Sequence, residues 1–343
     1  MVNWIRRVCG ASLRHARHGL ALLLALSGAA SAARAQEPVR VGIGFGFAFL
    51  PAYICEDLKL IEKHGREAHL DLKVSYPRFL GAGAVQDAIG SGGVELGPFG
   101  VAPLLAAWEK AKGTPQQILA VSGMTTLPVV LVANRPNVQS LVDFRIADRI
   151  AVPTLSSPET YLLKMQSEKV FGQYDRLKNQ IVTLSHSEAL AALVGGSNTV
   201  AGYFSSAPYS EIALEDGRVH KLFSTADVLD GKASFLVLGA TRNYVAAHPK
   251  VVEAVIKAMD EAAGVIRDDP RRAAQIYLDH EPSKTLNADA MEAVIGDVKD
   301  EFGSAVHGVQ AFADFMSRHG ELKSPPRSWK EIVAPALLSS PNS

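Results

Sequence analysis

The sequence predicts an α/β protein made of two doubly wound lobes. Short β-branched runs alternate with helical segments through most of the chain, and the alternation restarts after Arg135-Pro136-Asn137. A last apolar run, Phe235-Leu236-Val237-Leu238, follows the second set and reads as a strand returning to the first lobe. Strands that alternate with helices favour a mostly parallel sheet covered on both faces.

The elements follow in order. Residues 1–35 read as an export signal peptide: Arg6, Arg7, Arg14 and Arg17 make a basic start and residues 20–26 an apolar core. Ala33-Arg34-Ala35 is a small-x-small cleavage site that leaves Gln36 as the new N-terminus. The apolar core is far shorter than the roughly 20 residues of a membrane span. Cys9 precedes that core, so it is not a lipid-bearing cysteine. Residues 39–44 read as a buried strand, and Pro51 opens a helix with Ile54, Leu58 and Ile61 on one face, ended by Gly65. Residues 70–76 alternate apolar and polar, a strand. A helix over 84–89, a strand over 94–96, a helix over 101–112 and strands over 118–121 and 129–133 complete the first set. The second set is a strand at 149–152, a helix opened by Ser157-Pro158-Glu159, and a strand at 181–184. Ser185 and Glu188 have capping-box spacing for a helix that Gly195-Gly196 stops; a strand at 199–204 and a helix from Pro208 follow. Beyond the return strand come amphipathic helices over 249–267, 271–278, 288–302 and 310–319, then an irregular tail with Pro325, Pro326 and Pro335.

Without the leader, 308 residues remain, with 30 basic and 35 acidic side chains and a formal charge of −5. That balance gives no support for nucleic-acid binding, which needs a basic face. Cys55 is then the sole cysteine, so no internal disulfide forms, and it reads as a small buried hydrophobe.

No nucleophile elbow, zinc-binding His-Glu-x-x-His or phosphate-cradling Gly-Lys-Ser/Thr loop occurs, so no catalytic residue, metal or cofactor is expected. Gly42, Gly44 and Gly46 are spaced wrongly for a dinucleotide loop. What recurs is glycine-rich turns after successive strands: Gly44-Phe45-Gly46-Phe47, Gly81-Ala82-Gly83, Gly97-Pro98-Phe99-Gly100 and Ser122-Gly123. In open α/β sheets, ligands bind beyond the carboxyl ends of the strands, and exposed amides at a helix start suit anions. The pattern therefore predicts a ligand cleft.

Val39-Arg40-Val41-Gly42, Pro51, residues 58–65, Leu70-Asp71-Leu72-Lys73-Val74, Gly81-Ala82-Gly83 and residues 88–97 together resemble a known family. So do residues 129–133, Ser140-Leu141-Val142-Asp143-Phe144, and the stretch from Ala189-Leu190 to Gly202-Tyr203-Phe204 with Pro208. The family is the nitrate/sulfonate/taurine (NMT1/THI5-like) type of periplasmic substrate-binding protein. The resemblance implies a type II periplasmic binding protein fold, two doubly wound α/β lobes joined by a two-strand hinge. The first lobe would be 36–133 with 235–343, and the second 134–234. It also implies a monomer in the periplasm that passes a small-molecule ligand to an ABC permease in the inner membrane. Carried over by position, Gly81, Ala82, Gly83, Phe99, Gly100, Ser122 and Gly123 would hold the ligand from the first lobe. Ser156 and Ser157 would do so from the second, with Tyr203 and Phe204 as an apolar wall.

Phe45 and Phe47 add aromatic character, which suits an organic anion: a sulfonate or an aromatic or aliphatic carboxylate. Arg78, before the Gly81 loop, is placed either to pair with an anion or simply to be solvated. The cysteine-rich motif of the family's pyrimidine synthases is absent, which weighs against an enzyme of that kind; an enzyme on the same two-lobe fold, related to pyrimidine and thiamine-precursor chemistry, is the alternative. A sensor for a membrane receptor kinase is a further one.

Overall fold

The structure, a computed structural model, describes residues 36–79, 82–195, 199–283 and 286–339. The expected leader, with Cys9, and Gly81 lie outside the described residues. The strands are β1 (Glu37–Arg40), β2 (Leu72–Ser75), β3 (Leu96–Phe99), β4 (Ile118–Thr125), β5 (Val130–Ala133), β6 (Arg149–Val152), β7 (Ile181–Thr183), β8 (Val200–Ser205), β9 (His220–Ser224) and β10 (Leu236–Thr241). The first-set helices are α1 (Leu50–Leu58), α2 (Leu60–Glu67), α3 (Ala82–Gly90) and α4 (Val101–Lys110). The second set has α5 (Pro158–Phe171), α6 (His186–Val194), α7 (Tyr209–Glu215) and α8 (Thr225–Leu229). After β10 come α9 (Arg242–Ala247), α10 (Pro249–Asp268), α11 (Pro270–His280), α12 (Ala288–Val298), α13 (Val309–Arg318) and α14 (Pro335–Leu338).

Two β-sheets organise the chain. In the first, β1 pairs with β2, and β3 and β4 flank β10. Parallel bridges Val41–Leu96 and Ile43–Arg78, with the Gly42 amide donating to the Leu96 carbonyl at 2.7 Å, knit these ladders into the order β2-β1-β3-β10-β4. The return strand β10 runs antiparallel to both neighbours. The second sheet has the order β7-β6-β8-β5-β9, with β6 parallel to β7 and β8, and β5 antiparallel to β8 and β9. Each sheet thus receives one antiparallel strand across the junction. Helices α1, α2, α10 and α11 pack against one another beside the first sheet, and α3, α4 and α13 form a separate layer. The two crossings lie side by side: the Phe235 amide donates to Thr125 (2.8 Å) and the Thr225 amide to Val129 (2.9 Å).

Several sequence expectations change. β5, expected to close the first lobe at residue 133, is hydrogen-bonded into the second sheet, so the chain crosses between β4 and β5. The helix expected from Pro51 to Gly65 breaks at Lys59, which adopts φ 50°. Gly65 lies inside α2 because Leu72 packs over it: a Cβ there would stand 2.6 Å from the Leu72 side chain. The left-handed turn falls at His69 (φ 63°) instead. β4 extends past residue 121 to Thr125, pairing with β10 throughout. In the tail, Val333 bridges Ala120 in parallel and α14 forms at Pro335. Cys55 is buried, as expected.

Candidate functional site

The carboxyl ends of the first-sheet strands carry the first half of the site. Gly46 has φ 102°, a conformation that glycine adopts without strain, and its amide donates to Glu281 Oε1 at 2.9 Å. The Tyr53 hydroxyl donates to the same oxygen at 2.6 Å. Burial first, and then Glu281, push the Tyr53 phenol well above its ordinary pKa. Phe45 is 51% exposed at this loop, whereas Phe47 is buried, edge-on to Tyr277 and Phe302 at 5.6 Å from each. Of the two aromatics expected here, only Phe45 faces solvent.

Arg78 follows β2, with its guanidinium 4.6 Å from the Tyr53 ring centroid and 5.9 Å from that of Phe45. Its Nη2 donates to His280 Nδ1 at 2.5 Å and to Glu56 at 3.3 Å. Arginine only donates, so His280 Nδ1 accepts, and its Nε2–H is left to donate to Asp57 Oδ1 at 2.9 Å. The His280 ring stacks on Tyr53, with centroids 4.6 Å apart. Asp57, His280 and Glu56 thus hold Arg78 in place, and its Nη1 is buried with no protein partner. The planar guanidinium fork pairs readily with carboxylates and sulfonates, so the unmet Nη1 makes Arg78 a candidate anion partner.

Ala82 and Gly83 open α3. Phe99 is buried: its ring lies over Gly239 and beside Ile118, against the sheet. It still lines a cavity of about 740 Å³ that runs between α3 and α4 and reaches Ser156 and Tyr161 of the second set. The cavity lining, which also includes Ile118 and Thr241, contains no residue of the 44–47 loop or of the Arg78 cluster. Gly100 is the N-cap of α4, and a Cβ there would stand 3.2 Å from Pro158, so the starts of α4 and α5 face each other across the cleft.

Ser122 and Gly123 are corrections. Because β4 runs on to Thr125, both lie inside a covered strand: Ser122 is fully buried and donates to the Gly123 carbonyl at 2.7 Å. A Cβ on Gly123 would stand 2.1 Å from the Ala305 carbonyl oxygen, so this glycine admits a crossing backbone and no ligand.

In the second sheet, Ser157 is the N-cap of α5 and Pro158 its first residue, as predicted, while Ser156 is exposed. Ser157 Oγ has no hydrogen-bond partner. Tyr203 and Phe204 are also corrections, since neither forms an exposed wall. β8 is a central strand covered on both faces, so alternation buries both. Phe204 packs edge-on against Phe223 at 5.4 Å, and Tyr203 hydrogen-bonds His186 Nδ1 at 2.8 Å. His186 stacks on Tyr209, with centroids 5.2 Å apart, and burial pulls its pKa down to about 4, so it is neutral. The Glu281 charge helps raise the pKa of Tyr209, after burial, which ties the Tyr209 end of the second lobe electrostatically to Glu281 of the first.

Sequence reasoning missed Glu281 and His280, because partners more than 200 residues away in the chain give them their roles, and His186, whose partners Tyr203 and Tyr209 lie on the next strand and helix. Among the described residues, no group of three or more His, Cys, Asp or Glu side chains is placed to hold a metal, and no helix is long and apolar enough to cross a membrane.

Known proteins bear on this geometry. The chain is similar in structure to the periplasmic aliphatic sulphonate binding protein SsuA of Escherichia coli, with TM-score 0.67, 18% identity, and coverage of 89% of this chain and 100% of that one. The alkanesulfonate-binding protein SsuA of Xanthomonas axonopodis pv. citri bound to MOPS gives TM-score 0.65 and 20% identity, covering 88% and 99%. The periplasmic nitrate-binding protein NrtA of Synechocystis PCC 6803 gives 0.64 and 12% identity, covering 89% and 88%. At these identities the likeness establishes the fold, a type II periplasmic binding protein with two α/β lobes. A search of curated proteins finds no match. The model of the NMT1-like family matches residues 34–277, more than half of the sequence, and the chain belongs to that family.

Proposed function

We propose that this protein is the periplasmic solute-binding component of an ABC importer. It takes a small organic anion, a sulfonate or carboxylate, between its lobes and hands it unchanged to an inner-membrane permease. The observation that carries this reading is Arg78: a guanidinium locked by Asp57, His280 and Glu56, flanked by Tyr53 and exposed Phe45, with Nη1 buried and unpartnered at a strand end. An anion fills the empty corner and an aromatic or alkyl body lies against Phe45. Relatives in fold that bind sulfonates and nitrate support the solute class. Lobe closure about the two crossings supplies the motion.

The test is a thermal-shift screen of the mature protein with sulfonates, aromatic and aliphatic carboxylates, and nitrate. A ligand at 100 times its Kd adds about 2.7 kcal/mol of stability. The reading requires such a shift from an organic anion that mass spectrometry then recovers unaltered. Conversion of the compound, or no shift from any anion, refutes it.

A further inference from the structure

Glu159 is the second residue of α5, and at 1% exposure it is buried with both carboxyl oxygens lacking a hydrogen-bond partner. Beside it, the Oγ of the N-cap Ser157 is also unpartnered. Between them, Pro158 faces Gly100 of the first lobe. The start of this 14-residue helix is thus a cluster of unmet polar groups where the second lobe meets the start of α4 in the first. The first amides of a helix have no partner within it and attract negative charge.

Among the described residues, no cation pairs with Glu159. The ionisable group that feels its charge is Tyr203 on β8, whose hydroxyl is bonded to His186 at the start of α6, itself stacked on Tyr209 of α7. Burial keeps both tyrosines protonated and His186 neutral at pH 7. Across the cleft, the start of α4 presents Gly100, which has no charge. A carboxylate here would repel an anion docking at the helix start, whereas a carboxylic acid would give it an O–H donor beside Ser157.

Building on the anion reading above, we propose that Glu159 is a specificity-determining residue which meets the anion as the neutral acid, so that solute and one proton are bound together. The proton comes from solvent and sits on a Glu159 oxygen, whose O–H donates to an oxygen of the bound anion. No covalent bond to the solute forms or breaks. Burial raises the carboxyl pKa to about 7, since Ser157 Oγ and the Glu159 amide lie near the carboxyl but outside hydrogen-bond geometry and oppose the rise only in part, which makes the proton available near neutrality.

Titration calorimetry with ethanesulfonate and with benzoate, from pH 6 to pH 8 and in buffers of unlike ionisation enthalpy, tests this. The affinity of whichever probe binds should fall about tenfold across that range, with net proton uptake at pH 7.5. Glu159→Gln, a permanent neutral donor, should bind with pH-independent affinity and no uptake, and Glu159→Ala should bind weakly at every pH. Anion binding without proton uptake, or an equal pH response in Glu159→Gln, overturns this inference and leaves the anion reading standing. If no organic anion of the thermal-shift screen binds at pH 6, these two probes included, both fall. Carbon-13 NMR of labelled glutamate, wild type against Glu159→Gln, gives a ligand-free check: a Glu159 signal titrating near pH 4.5 also overturns it.

Discussion

Replacing Glu159 by glutamine should change the pH dependence of folding more than any other conservative substitution at the candidate site. The carboxyl is buried without a partner, and its pKa rises from 4.5 to about 7 in the folded protein, with burial as the leading cause. The unfolded chain ionises near the ordinary value. Below about pH 4.5 both states hold the proton and the group costs nothing. As pH rises from about 4.5 to about 7 the unfolded chain releases its proton while the buried carboxyl keeps it, so stability is lost progressively and the loss is complete once pH passes 7. At about 1.4 kcal/mol per pH unit over the rise from 4.5 to about 7, the full loss is about 3.5 kcal/mol. Glutamine keeps the shape and never ionises. Urea unfolding should therefore show the variant close to wild type at pH 5 and more stable by about 3.5 kcal/mol at pH 8.5. A difference between the two proteins that stays constant from pH 5 to pH 8.5 would refute the reasoning.

Three further outcomes are expected. Arg78→Gln should weaken organic-anion binding by about 30-fold or more, since losing one partner of a desolvated charge pair costs 2–5 kcal/mol, and should also lower the unliganded melting temperature through the lost Glu56 and His280 contacts; calorimetry and a thermal melt measure the two effects. Gly123→Ala should destabilise by more than about 2 kcal/mol in urea, because its Cβ would overlap the Ala305 carbonyl and break the 2.6 Å bond from the Gly123 amide to Ser304. Gly46→Ala should cost about 1 kcal/mol or more through its φ of 102° alone and weaken ligand binding by misdirecting the loop amide from Glu281, as a melt and a titration would show.

Local signals read well from the sequence, and long-range partners did not. The capping box at Ser185 and Glu188, the Ser157 cap with Pro158, and the return strand that became β10 all depend on neighbours within a few residues or on a clear apolar run. The glycine-rich loops after β1 and β3 were found for the same reason. Gly123 and Gly46 look alike in sequence, yet one admits the Ala305 backbone and the other aims an amide at Glu281, 235 residues away. Likewise, nothing local distinguishes Tyr203 as a core residue from a cleft aromatic until β8 is known to be central. Arg78 was visible as a candidate anion partner, but the Asp57–His280 pair that fixes it requires α1 and α11 to meet. The allegiance of β5 depended on sheet pairing alone.

A crystal structure of the mature protein with an organic anion selected by thermal shift tests the central claim most directly. The account predicts an intact anion between the lobes, with one oxygen within hydrogen-bond distance of Arg78 Nη1 and its body against Phe45. An anion seated only in the groove between α3 and α4, or density for an altered molecule, would contradict it.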